Sequence, residues 1–230
     1  MRLELDVGNT RIKWRLCDHR GSYESGLDLK AIAKEKPSWW SLVETVWVSC
    51  VHEEQKNWIK EQFPQAQFAH SQVSQHGLSN SYEDPHKMGV DRWLSMLAAW
   101  TTKPDEAHII VDAGTAITID FVDAFGRHVG GYICPGFDMM KNGLLSGTSN
   151  VHAQQQWQVG RAPGHSTQQC VDHGIQDMVV SWIERHHNLQ PTANIWMTGG
   201  NAQALASLLT EPVTLTPDLV LDGVQAYFSK

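Results

Sequence analysis

One short pattern occurs twice in this chain. "DVGNTRIKWRL" begins at Asp6 and "DAGTAITIDFV" begins at Asp112, 106 positions later. In each, an apolar run stops at an aspartate, a glycine follows two positions on, a threonine stands in the turn, and apolar side chains then alternate. Alternation with period two is the pattern of a half-buried strand, and a glycine-bearing break between two such runs makes a hairpin. A hairpin repeated at equivalent places in two halves predicts two similar domains. Facing each other, they would bring both turns to the walls of one cleft.

The rest of the chain fits an α/β reading. Strands are predicted over 3–6, 11–16, 22–27 and 46–50, an amphipathic helix over 53–63, a polar loop over 71–87 and an apolar helix over 90–100. The second half predicts strands at 107–111, in the repeated pattern and at 127–134. Pro135–Gly136 punctuates the chain before a helix around 139–145. Residues 147–165 form a mixed polar segment with no assigned element. A long helix at 167–186, a strand at 194–197, a helix at 202–209, a strand at 213–215 and a last helix at 218–228 complete the order. Strands alternating with helices after each hairpin point to α/β architecture. The boundary falls near 105, giving domains 1–105, joined by the C-terminal helix, and 106–230.

Composition narrows the classes of function. The 230 residues are 41% apolar, enough for a sizeable core, and the formal net charge of -7 gives no electrostatic reason to hold nucleic acid. No stretch approaches the roughly 20 apolar residues of a membrane span. Arg2, Glu4 and Asp6 interrupt the N-terminus where a signal peptide would be apolar. Cys17, Cys50, Cys134 and Cys170 are widely spaced, which argues for reduced thiols and a cytoplasmic chain. The twelve histidines show no metal-ligand spacing, and His186–His187 reads as a solvated helix end.

The repeated turn has the chemistry to meet phosphate. Glycine allows close backbone approach, exposed N–H groups in such a turn form an anion nest, and Asn9, Thr10 and Thr115 add neutral donors. An aspartate repels phosphate directly but can act through a hard cation. Ordinary hairpin chemistry is the competing explanation for one such turn. Two of them, with Thr198–Gly199–Gly200 after a later strand, favour a metal–nucleotide site.

The motifs resemble, in order, those of the type III pantothenate kinases within the actin, Hsp70 and sugar-kinase superfamily. They are "DVGNTRIKW" at 6–14, Tyr82, "GVDRW" at 89–93, "DAGTAITID" at 112–120, "GGYICPG" at 130–136, "HST" at 165–167 and "TGGN" at 198–201. The resemblance implies two actin/Hsp70-like (ribonuclease H-like) domains with a nucleotide cleft between them. It implies ATP-dependent phosphorylation of pantothenate to 4′-phosphopantothenate, the first step toward coenzyme A. It also implies magnesium, a monovalent cation (potassium or ammonium), and a homodimer with sites near the interface.

The resemblance assigns roles residue by residue. Asp91 is the expected catalytic base, since transfer to an alcohol wants a carboxylate near the hydroxyl proton; a helix N-cap is its competing role. Arg92 suits the substrate carboxylate, and Tyr82, Gly89 and Val90 are expected to line the pantothenate pocket with it. Thr167 is expected to reach the partner's substrate site, with helix capping as its alternative. Asp6, Val7, Gly8, Asn9, Thr10, Arg11, Ile12 and Lys13 make up the first phosphate turn, with Asp6 holding magnesium through water. Asp112 is expected to hold the monovalent cation, Thr115 to face the ATP phosphates, and Gly199 and Gly200 to admit the nucleotide. Two alternatives remain beside this reading: an accessory transcriptional regulator related to the family, and a sugar kinase of the same superfamily.

Overall fold

The computed structural model describes residues 1–8, 11–19 and 21–229. Asn9 and Thr10 of the expected phosphate turn therefore lie outside the described residues. The elements run β1 (Arg2–Val7), β2 (Ile12–Asp18), β3 (Gly21–Gly26), α1 (Leu29–Glu35), β4 (Thr45–Cys50), α2 (Glu53–Gln62), β5 (Ala66–Phe68), β6 (Ser74–Gln75), β7 (Leu78–Ser79) and α3 (Val90–Thr102). They continue as β8 (His108–Ala113), β9 (Ala116–Val122), β10 (His128–Pro135), α4 (Phe137–Gly147), α5 (Thr167–Leu189), β11 (Asn194–Thr198), α6 (Ala202–Ala206), β12 (Val213–Leu215) and α7 (Leu219–Phe228). The chain divides into two units, one of Met1–Asp105, Phe125–His128 and Asp218–Lys230, the other of Glu106–Ala124 and Val129–Pro217.

The two units repeat one topology. The first contains a five-stranded sheet in the order β3-β2-β1-β4-β5 and the second a five-stranded sheet in the order β10-β9-β8-β11-β12. In each, the first strand of the unit is antiparallel to the next and parallel to the strand that follows a crossover. The repeated sequence pattern is the visible trace of this repeated sheet.

In the first unit Leu3, Leu5 and Val7 of β1 alternate into the core. Glu4 between them is also fully buried, because β1 is the central strand and is covered on both faces. Its carboxylate accepts from Arg2 Nε at 2.9 Å and from Arg15 Nε of β2 at 2.7 Å. Arg15 Nη1 in turn donates to Asp222 of α7 at 2.6 Å. The C-terminal helix is thus tied to the N-terminal hairpin by charge as well as by packing. Helix α3 is buried on nearly every side, from Arg92 to Trp100, as expected of a helix with no polar stripe. It meets α7 backbone to backbone: a Cβ on Gly223 would lie 2.1 Å from the Leu94 carbonyl oxygen.

In the second unit the core gathers Ile109, Val111, Ile117 and Ile119 from the hairpin with Val179, Val180 and Ile183 from α5. Residues between α4 and α5 form no helix or strand. They lie along α5, whose side chains satisfy their backbone. Gln154 N donates to Gln168, Gln158 N to Asp172 and Gly160 N to Gln176, at 2.5, 2.9 and 3.2 Å. From Gln158 to Gly160 the match is geometric: two residues of extended chain advance about 6.6 Å, and the four of helix from Asp172 to Gln176 about 6 Å.

Several expectations need correction. The loop over 71–87 contains the β6–β7 hairpin and a helical turn at Pro85–Lys87. Helix α1 and the edge strand β5 carry too little apolar periodicity to be read in advance. Helix α6 ends at Ala206 rather than at 209. His186–His187 is not a solvated helix end: His187 is buried, and His186 packs 4.9 Å from Phe121 and 5.2 Å from Tyr132. Burial holds the His186 imidazole below its ordinary pKa.

Candidate active site

Val7 and Ile12 pair across the first hairpin, with four positions between them in the sequence. The second hairpin closes between Ala113 and Ile117 and is one residue shorter there. Beyond the turns, Ile12 therefore corresponds to Ile117 and Lys13 to Thr118, a one-residue shift from the ungapped overlay of the two motifs. Asp6 and Asp112 keep equivalent places as the penultimate residues of β1 and β8.

Each glycine amide closes its own turn. Gly8 N donates to Arg11 O and Gly114 N to Ala116 O, both at 3.1 Å. These two N–H groups are engaged within the hairpin, so a phosphate nest there would draw on other amides. Val7 and Ile12 turn their side chains into the core. Gly8, Arg11 and Ile12 border a cavity of about 580 Å³ that Asp28, Lys30 and Gln55 line as well. Lys13 Nζ lies 2.9 Å from Asp218 Oδ1, which holds it toward α7.

The second turn is enclosed by glycines. Gly136 N donates to Thr115 O at 3.0 Å, and a Cβ on Gly136 would meet that same oxygen at 2.3 Å. Gly199 has φ +96°, and a Cβ there would lie 2.5 Å from Asp112 Oδ1 and 2.7 Å from Ala113 O. Both demands, positive φ and a crowded approach, single out glycine. Gly200 faces open space, and Thr115 is exposed. Asp112 Oδ1 and Ala113 O both face Gly199, and carboxylate and carbonyl oxygens are the donor types that hard cations take. Among the described residues, no group of three or more His, Cys, Asp or Glu could hold a metal.

The Gly-Val-Asp-Arg-Trp motif at 89–93 opens α3. Gly89 is the N-cap residue, with Asp91 in the first helical turn, so Asp91 is not the cap that its position suggested. Asp91 Oδ1 accepts from Arg92 N at 2.9 Å. A Cβ on Gly89 would sit 2.6 Å from Asp91 Oδ1, so the glycine leaves that carboxylate room to fold over the helix start. Negative charge in a first turn also meets the positive end of the helix dipole. Arg92 is buried, and its Nη1 donates to the Tyr82 hydroxyl at 2.6 Å. Gly89 and Val90 border a cavity of about 240 Å³, with Cys50, Lys56, Ser71 and His86 among its other lining residues. The fold therefore gathers Tyr82, Gly89, Val90, Asp91 and Arg92 in one place. At α5, Ser166 is the N-cap and accepts from Gln169 N at 3.2 Å. Thr167 stands exposed at the first helical position, so Ser166 performs the capping.

A sequence model of the type III pantothenate kinase family matches residues 2–188. The chain belongs to the type III pantothenate kinase family. The type III pantothenate kinase of Marinobacter nauticus is 35% identical over 98% of this chain and 97% of its own length. That of Alcanivorax borkumensis is 34% identical, with 98% and 97% covered. Among solved structures, a Campylobacter jejuni protein of the Baf family of transcriptional activators superposes with a TM-score of 0.66 at 22% identity, covering 97% of this chain and 95% of its own. MreB 5 of Spiroplasma citri superposes with a TM-score of 0.50 at 10% identity, over 99% and 95%. These likenesses establish the two-domain actin/Hsp70-like fold. Family membership favours the kinase over the regulator and the sugar kinase weighed above.

Within this type III pantothenate kinase chain, sequence reasoning missed several residues around the motifs. His128 packs on Tyr82 with ring centroids 6.2 Å apart, and Ser81 Oγ lies 2.9 Å from His128 Nδ1. Asn80 Oδ1 accepts from Tyr82 N at 3.0 Å. Only the run from Asn80 to Tyr82 beside a known motif could have flagged the last two. His128 comes from a distant turn and carries no local signal.

Proposed function

We propose that this chain phosphorylates pantothenate with ATP to give 4′-phosphopantothenate, the entry to coenzyme A synthesis. The observation that carries the reading is the start of α3, where the Asp91 carboxylate stands beside Arg92, itself held by the Tyr82 hydroxyl. Asp91 accepts the proton of the substrate hydroxyl as the phosphoryl group arrives. The guanidinium of Arg92 matches a carboxylate with a planar pair of donors, and the substrate carries one. Tyr82 fixes that guanidinium, and Gly89 leaves space for Asp91.

The two glycine turns carry the nucleotide chemistry. Asp6 is half-exposed at the end of β1 and would hold magnesium through water, in keeping with an ion that retains much of its hydration. Asp112 would hold potassium or ammonium. Bound cations neutralise the charge on the phosphates, the main resource of phosphoryl transfer. Arg11 and Thr115 reach the phosphates from exposed positions, and Gly199 and Gly200 leave room beside the nucleotide. Thr167, exposed at the start of α5, reaches the pantothenate site of a second copy, which makes the working form a cytoplasmic homodimer.

The test is product formation from ATP across a panel of pantothenate and simple sugars, with and without potassium. Phosphorylation of pantothenate alone is expected. Turnover of a sugar but not of pantothenate would overturn the reading.

A further inference from the structure

His128 is buried at 3% exposure, and no motif accounts for it. It begins β10, yet the segment Phe125–His128 belongs to the first unit, the one that carries Tyr82 and Arg92. A buried imidazole costs free energy unless its ring nitrogens are hydrogen-bonded. Here Nδ1 lies 2.9 Å from Ser81 Oγ, and a hydroxyl serves either tautomer. The ring packs against Tyr82 at an interplanar angle of 28°. Tyr82 accepts from Arg92 Nη1 at 2.6 Å, and the guanidinium carbon lies 5.6 Å from the Tyr82 ring centroid. Tyr82 thus contacts both an imidazole and a guanidinium.

The segment that delivers His128 is itself fixed. Gly126 has φ +74°, and a Cβ there would meet Gly77 O at 2.4 Å and the Trp100 ring at 2.8 Å. Ser79 N donates to Gly126 O at 2.8 Å. Trp100 Nε1 donates to His76 O at 3.1 Å, which ties the same ring to the β6–β7 turn. A turn held this closely carries His128 to Ser81 and Tyr82 with little freedom.

We propose that His128 is a positioning residue for the pantothenate pocket. It holds Ser81 and the Tyr82 ring, fixes the Tyr82 hydroxyl, and through that hydroxyl orients Arg92 for the substrate carboxylate. The proposal rests on the reading that Tyr82 and Arg92 bind pantothenate. Its specific content is that a residue outside every motif sets the substrate affinity.

The experiment is steady-state kinetics on the full chain with four variants. His128→Phe keeps the ring packing and removes the hydrogen bond. Ser81→Ala removes the same bond from the other side and disturbs packing least. His128→Asn restores a polar atom near Nδ1. Tyr82→Phe tests the pocket itself. One hydrogen bond lost from a preorganised site corresponds to a rise of about tenfold in the KM for pantothenate. That rise is expected in His128→Phe and Ser81→Ala, with the KM for ATP unchanged and most of the affinity recovered in His128→Asn. The Ser81→Ala/His128→Phe double variant, added as a fifth, should be no worse than His128→Phe alone, because Ser81→Ala removes only a bond already lost there. An unchanged pantothenate KM in Ser81→Ala and His128→Phe, or a parallel rise in the ATP KM, overturns the proposal. If Tyr82→Phe raises the pantothenate KM while those two do not, only the role of His128 fails. If Tyr82→Phe also has no effect, the pocket assignment fails with it.

Discussion

A Cβ on Gly199 would stand 2.5 Å from Oδ1 of Asp112. The late Thr-Gly-Gly motif and the second Asp-x-Gly turn are therefore one piece of structure. Gly199 at φ +96° brings the end of β11 onto the end of β8, and Asn201 N donates to Ala113 O at 3.0 Å.

Gly199→Ala should lose stability by about 1–3 kcal/mol, from a conformation that L residues disfavour, and should displace the Asp112 carboxylate. Gly200→Ala, with nothing within 4 Å of the added methyl, should stay within about 0.5 kcal/mol of the parent. Urea unfolding of both variants is the measurement. Equal, small losses would show that the glycine pair is not required by the packing.

Asp112→Asn bears on the cation. The parent enzyme is expected to need potassium or ammonium and to slow when sodium replaces them. The variant should lose both rate and potassium dependence, whereas Asp6→Asn should chiefly impair the use of magnesium–ATP. Initial rates against potassium concentration at constant ionic strength decide it. Equal parent rates in sodium and potassium would leave Asp112 as a hairpin residue.

Lys141 and Asp172 are both fully buried, 2.7 Å apart, and the Lys141 ammonium lies 4.3 Å from the Trp157 ring centroid. Burial alone would raise the Asp172 carboxyl. The Lys141 ammonium and the N–H donors of Gln158 and Gln168 outweigh it and hold the group below the ordinary carboxylate range. A depressed folded-state pKa gives stability that is complete above the unfolded value of about 3.9 and is lost as pH falls through the folded value. Asp172→Asn should cost about 3–5 kcal/mol, since it leaves Lys141 buried without its partner. The difference from the parent should be constant from about pH 7 to 5 and shrink only below about pH 4. Denaturation midpoints across that range are the check. A difference that vanished by pH 6 would contradict the assignment.

The sequence was most legible where local chemistry decides local structure. The two hairpins, α3, α5 and β12 follow from alternation, helical spacing and turn residues. Gly89, Val90, Asp91 and Arg92 are consecutive in the chain, so one motif contains most of that cluster, and only Tyr82 lies outside it. What stayed hidden depends on distant partners. The pairing of Lys13 with Asp218, the fit of Gly223 on Leu94 and the delivery of His128 to Tyr82 join segments that no periodicity links. The ungapped overlay of the two turns misled by one residue because turn length is set by hydrogen bonding across the hairpin, which the shared letters do not report. The backbone of residues 154–160 was unreadable for the same reason: its donors find α5 side chains instead of a strand.

Turnover of pantothenate by Asp91→Asn tests the catalytic assignment at its base. The substitution keeps the shape of the side chain and removes its capacity to accept a proton. The measurement is kcat for ATP-dependent phosphorylation of pantothenate in purified parent and variant, alongside ATP binding and the unfolding midpoint. The expected result is a loss of about 10²–10⁴-fold in kcat, with ATP binding and stability retained. A variant that turned over pantothenate at the parent rate would contradict it.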